Sequence, residues 1–290
     1  MVSMLRLMTF CVKDVNLSTI FIVPCNYNKD KSEYFIFELL LTPKQKRLKK
    51  VFIRINAFIK GIVLVLRPHA LLGWLRAPFF FFANTLSLTK WIAGQDVKNT
   101  RNDFFTFKRD YPKRYKLYRY VSERFDLNNK PYFYFEFGVA GGHSFRWWVS
   151  QSAHSDCRFY GFDTFEGLPE AWGTFNKSDM SASIPDIDDT RVKFFKGLFQ
   201  DTLPGFLRGF DQKDGMLKII HLDADLFSST LYVLTSMAPY LRKGDILIFD
   251  EFNVPNHEFL AFRIFTESYY IKTRLIGAVN NYLQVALIIE

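Results

Sequence analysis

Cysteine is scarce: Cys11, Cys25 and Cys157 are the whole complement of a 290-residue chain. Their number is odd and their spacing matches no metal-ligand pattern. A disulfide framework and a zinc site are therefore not expected, and a reducing cytoplasm is. Long apolar runs are lacking too. A membrane span needs about 18 or more consecutive apolar residues, and the candidates here are broken by Arg54, Lys60, Arg67 and Arg76. The cleanest run, APFFFFANTLSLT from Ala77 to Thr89, is too short. No secretory leader is expected, because the apolar run after Arg6 is interrupted by Lys13 and Asp14 with no small-residue cleavage site behind it. Acidic residues are rare in the first third. Residues 1–100 hold 15 Lys and Arg against 5 Asp and Glu, and the rest of the chain balances at 23 against 24. The net charge of +9 thus belongs to the first hundred residues.

What is present supports a folded chain, since an apolar fraction of 49% at this length supplies a sizeable core. Residues 1–100 read as a basic, helical N-terminal extension, with Pro68 and Pro78 punctuating two or three helices between Lys44 and Trp91. Bases scattered through Phe, Leu and Trp allow two readings of residues 44–91. They lie in the headgroup layer of an anionic membrane as a peripheral contact, or they pack on the rest of the chain or a second subunit. Nucleic acid is not expected, because the bases are interleaved with aliphatic groups and no nucleic-acid module is recognised. The stretches Ser18–Pro24 and Tyr34–Leu41 are left unplaced.

From about Tyr132 the texture changes. Short apolar segments at 132–137, 158–162, 192–195, 217–222 and 245–249 alternate with helical stretches at 143–148, 203–209, 228–240 and 256–268. That alternation predicts an α/β fold with a mostly parallel sheet and helices on both faces. Two further apolar segments, 269–275 and 282–289, flank Gly277–Asn281 and predict an antiparallel hairpin that makes the sheet Rossmann-like and seven-stranded.

In an open α/β sheet, ligands bind beyond the carboxyl ends of the strands. After the first strand comes EFGVAGGHS (136–144), where Gly138, Gly141 and Gly142 permit a tight turn and Ser144 stands where a helix cap is needed. The spacing is not the dinucleotide GxGxxG. The second strand ends in Asp163, placed to accept hydrogen bonds from both hydroxyls of a ribose, whereas an isolated Asp would more simply cap a turn. The fourth ends in Asp223 and Asp225, two residues apart, which in an extended chain project to one side. The fifth ends in Asp250 and Glu251. Adjacent strands lie about 4.8 Å apart, so the two acidic pairs meet, and converging carboxylate oxygens predict a hard cation, Mg²⁺ or Mn²⁺. Against that stands a plainer arrangement, with Asp225 capping a helix and Glu251 solvated. His221 reads as a packed core residue, His257 as a helix start, and His143 as a bystander of the glycine turn.

In this order EFGVAGGHS, GFDTFEGLPEAW, KGLFQDTLP (196–204), LDADLFSSTLYVL and ILIFDEF resemble the macrocin O-methyltransferase family over about residues 103–290. The resemblance implies a class I methyltransferase domain at 101–290 that uses S-adenosylmethionine and a divalent metal to methylate a hydroxyl of a sugar, glycoconjugate or natural product. It implies cofactor contacts from Glu136, Gly138, Val139, Gly142 and Ser144 near the methionine end, Asp163 and Thr164 at the ribose, Gly197 near the adenine, and Asp223. It implies metal ligation by Asp223, Asp250 and Glu251, with Asp225 as general base. Many members carry two aspartates where this chain has Asp250-Glu251. The loop from Trp172 to Asp189 would form a lid over a small-molecule or glycan acceptor, and a homodimer or larger assembly is implied. Two other readings use fewer of these features: a metal-dependent glycosyltransferase built on the D-x-D pair, and a non-catalytic protein bound to a membrane surface.

Overall fold

A computed structural model of the protein describes residues 43–171, 174–212 and 215–290. The stretches 18–24 and 34–41, Cys11, Cys25 and Trp172 lie outside the described residues. The chain divides into two compact units, residues 1–74 and 75–290. The boundary expected at residue 100 thus falls inside the second unit. In the first unit, α1 (Pro43–Leu66) runs for 24 residues and is followed by the single turn α2 (His69–Leu72). No helix among the described residues is long and apolar enough to cross a membrane.

The second unit opens with α3 (Arg76–Ala93). Its first half leaves Phe79–Phe82 exposed, and its second half buries Asn84 and Leu88. Trp91 packs against Phe252, Phe259, Phe262 and Tyr282, with ring centroids 4.9 to 6.4 Å away. The Asn84 amide donates to Asn256 Oδ1, and Arg263 donates to Asn84 Oδ1 and Ser87 Oγ. This half of the helix is therefore part of the α/β unit, held by an aromatic cluster and a polar clasp.

The sheet comprises β1 (Arg101–Asn102), β2 (Tyr132–Phe137), β3 (Arg158–Asp163), β4 (Val192–Lys196), β5 (Leu217–Leu222), β6 (Ile246–Phe249), β7 (Thr273–Val279) and β8 (Gln284–Ile289). It has eight strands, one more than expected, in the order β1-β7-β8-β6-β5-β2-β3-β4. The extra strand is the two-residue β1, parallel to β7 and too short to carry a period-two signal. β8 is antiparallel to both its neighbours, and the other pairings are parallel. Helices α4 (Lys113–Phe125), α5 (His143–Gln151), α6 (Phe199–Arg208), α7 (Phe227–Met237) and α8 (Glu258–Tyr269) complete the unit.

Strand β2 shows why the sheet is buried on both faces. Its side chains alternate, so Phe133, Phe135 and Phe137 enter one core with residues of α3, α6, α7 and α8, while Tyr132 and Tyr134 enter the other with residues of α4 and α5. From β2 the chain winds outward to β3 and β4 and then returns to add β5 and β6 on the other side. This reversal of strand order opens a crevice at the carboxyl end of β2.

Trp91→Ala removes the centre of the cluster that fastens α3. The expected cost is about 3 kcal/mol of unfolding free energy, within the range for large aromatic truncations, and urea denaturation followed by fluorescence or circular dichroism measures it.

Candidate active site

The crevice is a cleft of about 640 Å³, inside the roughly 300–1,000 Å³ usual for small-molecule sites. Its walls come from the ends of β2, β3, β5 and β6 and from the loop after β3. Gly138, Asp163, Thr164, Asp223, Asp225 and Glu251 all line it, together with Arg109, Tyr111, Phe175 and Met180. Strand ends deliver these groups in register: Gly138 N–H donates to the Phe162 carbonyl, Asp223 N–H to Phe137, and Asp250 N–H to Leu222.

Gly138 is required by contact as well as by conformation. Its φ is +92°, and a Cβ there would fall 1.8 Å from the Asp223 carbonyl oxygen. The turn continues to Gly142 (φ +73°), the N-cap of α5. Ser144, expected to cap that helix, does not. The helix begins one residue earlier, and the Ser144 hydroxyl donates instead to Glu136 Oε1 at 2.6 Å.

Asp163 holds the glycine turn in place. Its Oδ2 accepts the Val139 and Ala140 amides at 2.7 and 2.8 Å, and its Oδ1 accepts that of Phe165 at 2.7 Å. An ionised carboxylate offers about four lone-pair sites, so roughly one is left for a ligand hydroxyl. The expectation that it receives both hydroxyls of a ribose exceeds this capacity.

Other expected cofactor residues sit behind the wall. Glu136 is fully buried, accepting from Tyr134 and Ser144. Val139 is packed in the core, and Gly197 donates its N–H to the Asp163 carbonyl. His221 is indeed a core residue, its ring nitrogens 3.2 Å from the Tyr118 hydroxyl and 2.7 Å from that of Tyr134. His257 is the N-cap of α8, and its Nδ1 accepts the Phe227 amide.

The chain is not extended from Asp223 to Asp225. Asp225 adopts φ +55°, in the left-handed region, so the same-side projection expected of a strand does not apply. Both side chains nevertheless line the cleft, because the strand ends and the turn carry them there. Burial raises both carboxyls. Asp223 rises well above the ordinary range, with Asp250 and Asp225 adding repulsion, and Asp225 is pushed up to about 7, with Glu251, Asp250 and Asp163 adding theirs. Burial also raises Glu251, partly offset by Arg109, and raises Glu258 well above its usual value.

The dication expected at Asp223, Asp250 and Glu251 does not fit these side chains as they stand. Among the described residues no group of three His, Cys, Asp or Glu is arranged to hold a metal. Asp250 Oδ2 accepts the Tyr111 hydroxyl at 2.7 Å and lies 3.7 Å from the Arg114 guanidinium. Glu251 pairs with Arg109 at 3.4 Å. Glu258, buried in the first turn of α8, accepts the Glu251 amide. Tyr111, Arg109, Arg114 and Glu258 were not singled out from sequence. Residues 104–125 are rich in Arg, Lys and Tyr at roughly helical spacing, but nothing local in the sequence tells that they reach the acids at the end of β6.

Residues 181–281 match the family described as macrocin-O-methyltransferase (TylF). The 8-demethyl-8-(2,3-dimethoxy-alpha-L-rhamnosyl)-tetracenomycin-C 4'-O-methyltransferase of Streptomyces olivaceus is 29% identical over 124 residues, 35% of this chain. The chain spans 45% of that relative's length. Among solved structures, the calicheamicin methyltransferase CalS11 is 21% identical, with 71% of this chain and 91% of that one covered at a TM-score of 0.49. The O-methyltransferase NovP is 22% identical, covering 61% and 79% at 0.49.

The raised carboxyls make stability depend on pH. Asp225 binds its proton more tightly folded than unfolded, so its stabilising contribution is complete below about 4 and is lost as pH rises through about 7. The melting temperature is expected to fall as pH rises from about 4 to about 7, and Asp225→Asn to flatten that fall, which differential scanning fluorimetry across the range measures.

Proposed function

We propose that the chain is an S-adenosylmethionine-dependent O-methyltransferase that acts on a hydroxyl of a sugar or natural product. The observation that carries this reading is the cleft at the strand-order reversal. There a glycine turn tied to Asp163 stands across from Asp225, a carboxyl poised near neutrality. The family match over residues 181–281 and the tetracenomycin-type relative support the same class of reaction.

Bound in the cleft, the cofactor supplies an electrophilic methyl group on a sulfonium. The chain's own residues do the rest. Gly138 lets the backbone at the end of β5 close against the glycine turn, and the remaining lone pair of Asp163 accepts one ribose hydroxyl. Thr164, Leu198 and Phe199 line the same cleft. Asp225 accepts the proton that the acceptor hydroxyl releases as its oxygen attacks the methyl carbon and the carbon–sulfur bond breaks. A base with a pKa near the working pH combines a large deprotonated fraction with useful basicity. The loop after β3 brings Phe175 and Met180 over the cleft and is pinned by Leu168 N–H to the Asp179 carbonyl and Ser178 N–H to that of Leu168. These two side chains give the acceptor an apolar surface and help exclude water. No step is routed through a metal, because two of the three carboxylates expected to hold one, Asp250 and Glu251, are already engaged by Tyr111, Arg114 and Arg109.

Calorimetric titration with S-adenosylmethionine tests the donor half: wild type is expected to bind, Asp163→Ala to bind at least about tenfold more weakly as the turn loosens, and chelation of divalent ions to leave the affinity unchanged. Asp225→Asn is expected to retain donor binding and to lower kcat by about 10²–10⁴, the usual contribution of a general base. Wild type that fails to bind the donor would remove the reading.

A further inference from the structure

From the exposed face of α1 we infer that the first unit docks on an anionic membrane surface as an interfacial helix. The helix lays down an apolar stripe at Leu48, Val51, Ile55, Ile59, Ile62 and Leu66, spaced three or four residues apart and so on one side. These side chains are 43% to 71% exposed, which is far from the burial such a stripe reaches when it packs in a core. Opposite the stripe stand Lys49, Lys50, Arg54 and Lys60. Farther along in the same unit Leu71 and Trp74 are 80% and 75% exposed. Tryptophan is favoured at the boundary between lipid and water.

Charge decides what covers this face. Residues 43–95 contain ten Lys and Arg (44, 46, 47, 49, 50, 54, 60, 67, 76 and 90) and not one Asp or Glu. A second copy of the helix would bring cations against cations with no acidic partner, whereas anionic headgroups neutralise them. An apolar stripe sunk into the headgroup boundary with lysines and arginines rising to the phosphates is the geometry of an interfacial helix. At 24 residues α1 extends about 36 Å. Its cations and the absence of a spanning helix among the described residues make it one that lies on the bilayer.

The test is co-sedimentation of the full chain with vesicles of phosphatidylcholine alone and of phosphatidylcholine mixed with phosphatidylglycerol. Wild type is expected to pellet with the anionic vesicles at low salt, to be released as salt screens the attraction, and to stay in solution with the neutral ones. Charge reversal at two positions, Lys50→Glu with Arg54→Glu, is expected to weaken partitioning by at least about tenfold, in line with the contribution of each base near such a surface. Ile55→Glu with Ile62→Glu is expected to abolish it. Because these side chains are exposed, the circular dichroism and melting curve of the chain serve as the folding control. Wild type left in the supernatant of anionic vesicles overturns the inference. So do variants that pellet like wild type, or a vesicle-free dimer broken by Ile55→Glu in a chain that ignores lipid.

Discussion

Carboxylates that repel one another are gathered at the ends of two neighbouring strands, and the architecture of the site follows from how that repulsion is contained. Asp223 and Asp225 follow β5, Asp250 and Glu251 follow β6, and Glu258 enters from α8 beneath them. Left alone such a group would drive the strand ends apart or take up protons. The chain answers with its own donors. Tyr111 and Arg114 close on Asp250, and Arg109 closes on Glu251. The backbone amide of Glu251 serves Glu258. Burial raises the carboxyls of Asp223 and Asp225, which line the cleft, and the repulsion left uncontained raises them further.

The segment that supplies those donors is itself anchored at a distance. Asn280 and Asn281, both with positive φ in the turn between β7 and β8, exchange hydrogen bonds with the backbone of Asp110 and Thr106. Asn280 also donates to Gln284, which in turn donates to the Asp250 carbonyl. The turn that closes the antiparallel pair thereby fixes the approach of Arg109 and Tyr111 to the cleft. A feature read from sequence only as a sheet ending acquires a role in positioning the site.

The strands were readable because buried parallel strands are short apolar runs bounded by turn residues, and those from Tyr132 to Phe249 met that description within a residue or two. The cleft was readable in outline, since the end of each strand is where a doubly wound sheet binds. Side-chain roles were less legible, for a physical reason. Ser144, Glu136 and Asp163 carry oxygens that could serve a ligand or the protein, and the neighbours available to each decide which. Ser144 and Glu136 are spent on one another, while Asp163 spends most of its capacity on the glycine turn.

The order of the motifs, the glycine that must stand at position 138 and the acids at strand ends are properties of the chain alone, because local conformation and burial pattern act over a few residues. The absence of acid from residues 43–95 is equally a property of the sequence. Tertiary structure decided which cation answers which carboxylate. Arg114 and Asp250 are far apart in the chain and meet only when α4 packs across the sheet, and Coulomb attraction at 3.7 Å depends on where a charge ends up rather than on where it is written.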